Sequence, residues 1–206
     1  MEIKKDINNE DLPKRELSNI KLLVIHHTAS DAPFSNILKY LKKTDNISTH
    51  YAVNDGEVVQ LVDDDRIAYH AGVSSYPNFE PKGNSLNWCS LGIEVHSNGK
   101  DFSEAEKKTT KELITYLMKK YNIPARLVVR HADIAPKRKW DIGENFFKEY
   151  GAWEKFQSSL VPIDEKTLDG INAVIYSLKS LWHLTDSAEI KMTMSRMKDE
   201  VVKLKK

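Results

Sequence analysis

Cysteine is nearly absent: Cys89 stands alone among 206 residues. That excludes an intrachain disulfide, and it directs any metal site toward nitrogen and oxygen donors, since the chain holds seven histidines. An excess of charge of one sign is also missing. Lys plus Arg number 31 against 30 Asp plus Glu, a net charge of +1, which gives no footprint for nucleic acid or a membrane surface. No apolar run approaches the ~18 residues of a membrane span. The N-terminal "MEIKKDINNEDLPKRELSN" lacks the apolar centre of a secretory signal, so synthesis without a signal peptide, in the cytoplasm, is the expectation. There is no HExxH motif, internal repeat, low-complexity tract or glycine-serine linker. What remains, 40% hydrophobic and 30% charged residues, describes a soluble globular chain able to bury a core, one domain plus an extra element.

The hydrophobic pattern divides the chain into elements. "KLLVIHHTAS" is an apolar run ending in histidines, as in a buried strand that opens into a site. "FSNILKYLKK" has the spacing of a short helix. "HYAVNDGEVVQLV" reads as a hairpin around Asn54-Asp55-Gly56, with Asp55-Gly56 as the turn. Residues 72–83 form a loop broken by Pro77 and Pro81. "SLGIEVHS" and "RLVVRH" are further strands. Between them, "DFSEAEKKTTKELITYLMKKYN" is a helix opened by a capping box, Ser103 with Glu106, and striped with Leu113, Ile114, Leu117 and Met118. The expected class is α/β, a mixed central sheet flanked by helices. Residues 1–20 read as a polar arm and 21–156 as the main domain. Residues 157–206 read as a two-helix appendage. Leu168, Ile171, Val174, Ile175, Leu178 and Leu181 mark its first helix; Ile190, Met194, Met197, Val201 and Leu204 mark the second, capped by Asp186 and Glu189.

Several residues could carry chemistry. Neighbours on a strand point to opposite faces, so at most one of His26 and His27 faces a given site. A histidine at a strand end, taken alone, is more often a hydrogen-bonded structural residue than a metal ligand, and His131, closing another strand, is in the same position. After it, "PKRKWD" is an exposed loop, since Pro136 disfavours a continuous helix. Taken alone it reads first as a solvated basic turn; if extended, it is a wall that projects Lys139 and Asp141 together. In "SLGIEVHS", Leu91, Ile93 and Val95 alternate with Gly92, Glu94 and His96. Glu94 therefore faces away from the core, beside a glycine that leaves room for a ligand; taken alone it reads first as an ordinary solvent-facing strand glutamate. Two imidazoles and a carboxylate would make a three-ligand Zn2+ set with a fourth place for water. A free carboxylate could take that water's proton, and a lysine could stabilise a developing oxyanion. His26, His131, Asp141, Glu94 and Lys139 could fill these roles; spacing alone does not select them.

Four ordered segments add a resemblance. "VIHHTAS", "STHYAVNDGEVVQLVDDDRIAYHAG", "LNWCSLGIEV" and "HADIAPKRKWDIG" resemble the successive motifs of the zinc-dependent N-acetylmuramoyl-L-alanine amidases of the amidase-2 type. That family includes phage endolysins, cytosolic anhydro-muropeptide amidases and peptidoglycan recognition proteins. The likeness runs from about Leu22 to Trp153. It implies zinc ligands at His26, His131 and Asp141, a base at Glu94 and an oxyanion partner at Lys139. His27 falls at a non-ligand position. The resemblance places His50 and His70 at the substrate-facing hairpin and the loop after it, and Asn87 and Trp88 at the cleft rim, as candidate substrate contacts; His50 and His70 read equally as structural histidines, and Trp88 equally as partial core. Thr49 stands where some members carry a catalytic tyrosine, which shifts weight onto Glu94. Ile142 replaces the proline of the usual Asp-Pro-Gly.

The implied activity is hydrolysis of the amide between N-acetylmuramic acid and L-alanine of the stem peptide, with peptidoglycan or a muropeptide as substrate. A phage-type endolysin that reaches the cell wall after release is the leading reading. A cytosolic recycling amidase and a non-catalytic peptidoglycan-binding module are the alternatives. The C-terminal helices fall outside the resemblance; packing, self-association and wall targeting are their candidate roles.

Overall fold

The computed structural model describes residues 1–42, 47–161, 187 and 191–196. The strands are β1 (Lys4–Lys5), β2 (Leu22–His27), β3 (Tyr51–Asn54), β4 (Glu57–Gln60), β5 (Ser90–Val95) and β6 (Val128–Arg130). The helices of the same region are α1 (Phe34–Leu41), α2 (Glu104–Tyr121), α3 (His131–Ile134) and α4 (Trp153–Ser158). Among the described residues the strands form one six-stranded sheet in the order β1-β4-β3-β5-β2-β6. Only β3 and β4 pair antiparallel; every other neighbouring pair is parallel. This is the mixed α/β sheet that the pattern predicts.

The local reasons are visible in the sequence. β2 is apolar without alternation up to its histidines because both its neighbours are parallel strands and both its faces are covered; all six residues are buried. The β3–β4 hairpin turns at Asp55 (φ 37°) and Gly56 (φ 88°), where two successive positive φ values match the twist of the flanking strands. α2 starts at the expected box: Ser103 Oγ accepts from the Glu106 amide at 3.0 Å, and Glu106 Oε2 accepts from the Ser103 amide at 2.7 Å. It ends at Asn122 in the left-handed conformation.

The two faces of the sheet bury different sets. Leu23, Ile25, Leu91, Ile93, Val95 and Val128 pack with Leu113, Ile114 and Leu117 of α2 and with Phe146, Trp153 and Phe156 beyond it. On the opposite face, Leu22, Val24 and Val129 meet Ala71, Leu86 and Ile134. Further along, Ala52, Val59 and Leu61 meet Ile37 and Leu41 of α1. The first twenty residues, polar as a whole, pack in part on the sheet. β1 adds a short lysine edge to β4, and Leu12, Arg15 and Ile20 are buried. The Arg15 guanidinium is held by the Asp64, Asn87 and Ser90 carbonyls. A charged segment reads as solvated in sequence because its partners are carbonyls from distant loops.

Asp64 pins the hairpin to α2. Its carboxylate accepts from Tyr51 Oη at 2.7 Å, Lys120 Nζ at 2.8 Å, Gln60 Nε2 at 3.2 Å and Tyr121 Oη. Burial pushes its pKa up, but the bonds from Lys120, Tyr121 and Tyr51 prevail and hold it below the ordinary 3.8. The native state therefore binds fewer protons than the unfolded chain, so this stabilisation is present above that value and lost as pH falls. Asp64→Ala is expected to cost about 3 kcal/mol, discounted because the lysine is partly solvated, and to lower Tm by roughly 10 °C in thermal denaturation.

The chain separates into two compact units, Met1–Leu160 and Val161–Lys206. In the second, 191–196 are helical and include buried Met194. The other residues assigned from the pattern to the two C-terminal helices (Leu168, Ile171, Val174, Ile175, Leu178, Leu181, Asp186, Glu189, Ile190, Met197, Val201 and Leu204) lie outside the described residues. No helix among the described residues is long and apolar enough to cross a membrane.

Candidate active site

The site forms where the parallel strands end, the usual place for function in an open α/β sheet. His26 on β2 is in register with Glu94 on β5, so both side chains project from one face. Ile25 is in register with Arg130 on β6, which brings the next residues, His26 and His131, to the same level. His131 does not close the strand as expected; it opens α3, a single helical turn. The Asp133 carboxylate accepts from the Arg130 amide at 2.9 Å and pairs with its guanidinium at 2.6 Å, which bends the chain into that turn. Residues 136–140 then run exposed, and the loop is closed where the Asp141 carbonyl accepts from the Ala132 amide at 2.7 Å. Ile142, fully buried, anchors the loop end beside Asp141.

Three donor atoms converge there. His26 Nδ1 lies 2.9 Å from His131 Nδ1 and 3.3 Å from Asp141 Oδ2, and His131 Nδ1 lies 3.0 Å from the same oxygen. All three residues are buried. A tetrahedral ion with bonds of about 2.0–2.1 Å has donor–donor edges of roughly 3.4 Å. The observed triangle is slightly tighter, and two imidazole nitrogens with a carboxylate oxygen are the hard-to-borderline set that a divalent ion takes. The three residues thus fit a metal. Burial pushes His26 down to about 4, against the opposing pull of Asp141. Burial works the other way on Asp141, but the His131 and His26 rings beside it keep it far below the carboxylate range. A His26 ring held neutral beside an ionised Asp141 carboxylate is the protonation state a metal requires of those two ligands.

Glu94 stands beside this triangle with Oε2 buried and without a hydrogen-bond partner. Burial, reinforced by the nearby Asp141 charge and moderated by Lys139, pushes its pKa up to about 8. A buried carboxyl left unsatisfied is costly and marks a group held ready for a ligand. The four residues and Lys139 line one cleft of about 460 Å³, with Tyr40 and Trp140 at its walls. Trp140 is 60% exposed, its ring packed on His27 at 4.5 Å between centroids. His27 faces away from the triangle: its Nδ1 accepts from the Ala29 amide at 3.1 Å.

The remaining candidates are placed differently from the expectation. His70 reaches the cleft, but its Nδ1 is 3.0 Å from His26 Nε2. Its ring fills the room above Gly92 that the sequence reserved for a ligand; a Cβ at Gly92 would lie 2.5 Å from it. His50 is 0% exposed, its Nδ1 accepting from the Gly92 amide and its Nε2 against the Arg66 carbonyl, so it has no atom left for substrate. Asn87 is buried, and its Oδ1 accepts from the His70 and Ala71 amides. Trp88 lines a separate surface hollow under Lys82. Of the two expected rim residues, Asn87 is turned inward to hold the His70–Ala71 backbone, and Trp88 lies outside the cleft. Sequence reading missed Arg138, which donates to the Ala71 and Val73 carbonyls at 2.8 Å each and ties the two cleft loops together. In the run "PKRKW" nothing separates it from its basic neighbours.

A family model described as N-acetylmuramoyl-L-alanine amidase matches residues 16–144. N-acetylmuramoyl-L-alanine amidase AmiD of Escherichia coli is 36% identical over 146 residues, covering 62% of this chain and 50% of AmiD. 1,6-anhydro-N-acetylmuramyl-L-alanine amidase AmpD of Haemophilus influenzae is 35% identical over 117 residues, 55% of this chain and 59% of AmpD. This chain thus spans between half and three fifths of the length of these two curated relatives. Among solved structures, PlyL superposes with a TM-score of 0.60 at 25% identity, over 79% of this chain and 98% of PlyL. A complex of E. coli AmiD with the substrate anhydro-N-acetylmuramic acid-L-Ala-D-gamma-Glu-L-Lys superposes at 0.58 and 29% identity, over 82% of this chain and 66% of AmiD.

Proposed function

This chain belongs to the N-acetylmuramoyl-L-alanine amidase family, and we propose that it is a zinc-dependent peptidoglycan amidase cleaving the amide between N-acetylmuramic acid and L-alanine of the stem peptide. The observation that carries this reading is the triangle of His26, His131 and Asp141 set beside the unpartnered carboxyl of Glu94. Zinc held by those three residues would polarise the scissile carbonyl and acidify a water molecule toward a pKa of ~7. The work of the chain's own groups follows from their positions. Glu94, with a pKa near the working range, accepts the proton of the attacking water and returns it to the amine of the departing L-alanine. Lys139, exposed on the cleft wall, offsets the negative charge that grows on the carbonyl oxygen. Trp140 and Tyr40 shield the cleft sides.

The test is mass spectrometry of products from purified peptidoglycan, with free stem peptide as the expected product. Lys139→Ala is expected to lower kcat about 10²–10³-fold at unchanged zinc content. Intact glycan carrying intact peptides, or wild-type turnover by the variant, overturns the assignment. Retention of both Asp141 and Lys139 favours a catalyst over a binding module. Within that activity, cell-wall lysis in the manner of an endolysin is the primary reading, and recycling of soluble anhydro-muropeptides is the second, favoured by the likeness to AmpD. Rates on intact sacculi against soluble fragments separate them.

A further inference from the structure

Two metal-facing histidines must each present an unprotonated Nδ1, and a neutral imidazole has a single N–H. Something must hold that proton on Nε2 in both rings. For His131 the partner is the Ala71 carbonyl, an obligate acceptor, 3.1 Å from Nε2. For His26 the answer is a chain of donors. Ser90 Oγ gives its only proton to the Leu86 carbonyl at 2.8 Å. It therefore accepts at its second contact, from His70 Nε2 at 3.1 Å. That leaves a lone pair on His70 Nδ1, which accepts from His26 Nε2 at 3.0 Å. The lone pair of His26 Nδ1 then points into the triangle.

The two orienting groups sit on consecutive residues, His70 and Ala71. One side chain holds both: Asn87 Oδ1 accepts from the His70 amide at 3.2 Å and from the Ala71 amide at 2.8 Å. Gly92 supplies the space, since a Cβ there would stand 2.5 Å from the His70 ring.

We propose that the His70–Ala71 step, clamped by Asn87 and seated over Gly92, sets the tautomer of both His26 and His131, so that His70 and Asn87 are positioning residues of the metal site and not substrate contacts. This rests on the metal role of His26, His131 and Asp141 proposed above. Outer partners of metal-bound histidines commonly govern affinity in this way. The geometry makes the device specific, because one loop orients two ligands that are 105 residues apart.

The direct test is long-range proton–nitrogen NMR on the metal-free full chain. His26, His70 and His131 are each expected to carry their proton on Nε2. A proton on Nδ1 of any of the three overturns the proposal, and no variant is needed. The second test is zinc affinity by competition with a chromophoric chelator, together with the cobalt(II) electronic spectrum. His70→Ala is expected to weaken zinc about 10–100-fold and to alter the cobalt spectrum. His70→Gln, which can accept from His26 and donate to Ser90, and Asn87→Asp, which keeps the shared acceptor, are expected to stay close to wild type in both. A folded His70→Ala that binds zinc as the wild type does, or a His70→Gln that falls as far as His70→Ala, overturns the proposal. Wild-type protein that binds no zinc instead overturns the metal reading itself, so the two failures are told apart.

Discussion

Glu94→Gln is expected to lower kcat by about 10²–10⁴-fold while zinc content stays at the wild-type level. The amide keeps the shape of the carboxyl and can neither accept the proton of the attacking water nor hand it on. The same variant is expected to make the metal-free protein more stable at neutral pH. Burial raises the carboxyl from an ordinary 4.5 to about 8 in the folded chain. Between those values the folded state binds more protons than the unfolded state, so its stability declines as pH climbs across the window. Glutamine does not ionise and escapes that loss. A rise in Tm of at least roughly 2 °C at pH 8, shrinking toward pH 5, is the expected signature. Steady-state kinetics with metal analysis and a pair of thermal melts measure both effects. Wild-type turnover, or a stability gain that is larger at pH 5, sinks the role given to Glu94. A group that is costly to the fold and indispensable to the reaction is what an unsatisfied buried carboxyl in a cleft should be.

Removing zinc is expected to have the largest effect on activity. Stripped protein should lose more than about 10³-fold in peptide release and recover on addition of zinc, because carbonyl polarisation and water acidification are lost together. Stability should follow. Three acceptor atoms within 3.3 Å of one another repel when nothing positive lies between them. Zinc at 100 times its Kd should add about 2.7 kcal/mol, visible as a Tm increase of roughly 5–10 °C. Asp141→Ala should abolish both responses. Stripped protein that cleaves at the loaded rate, or an Asp141→Ala variant that still gains stability from zinc, contradicts the assignment.

Much of the fold was legible because it depends on neighbours in the chain. The Asp55-Gly56 turn, the Ser103–Glu106 box and the alternation of Leu91, Ile93 and Val95 are satisfied within a few residues, and all appear as expected. Glu94 was legible for the same reason: period two puts it opposite that apolar set. What failed to read was whatever depended on a loop folding over the sheet. The family resemblance put His50 and Asn87 among the candidate substrate contacts, and nothing local in the sequence marks a polar residue for facing inward, as both do. The space beside Gly92 was real, but its occupant is His70, which local pattern cannot say.

By itself the sequence determined the elements, the class of sheet and the kinds of group available for chemistry, because periodicity, capping and turn preferences are short-range forces. Its ordered motifs also determined the family. Only the tertiary structure decided which histidine nitrogen faces which. Parallel pairing of β2 with β5 and β6 sets His26, Glu94 and His131 at one level, and a buried Ile142 fixes Asp141 against them. The His70–Ala71 loop, held by a single asparagine oxygen, then turns both rings the same way. Those distances follow from packing between segments about a hundred residues apart, and no local preference encodes them.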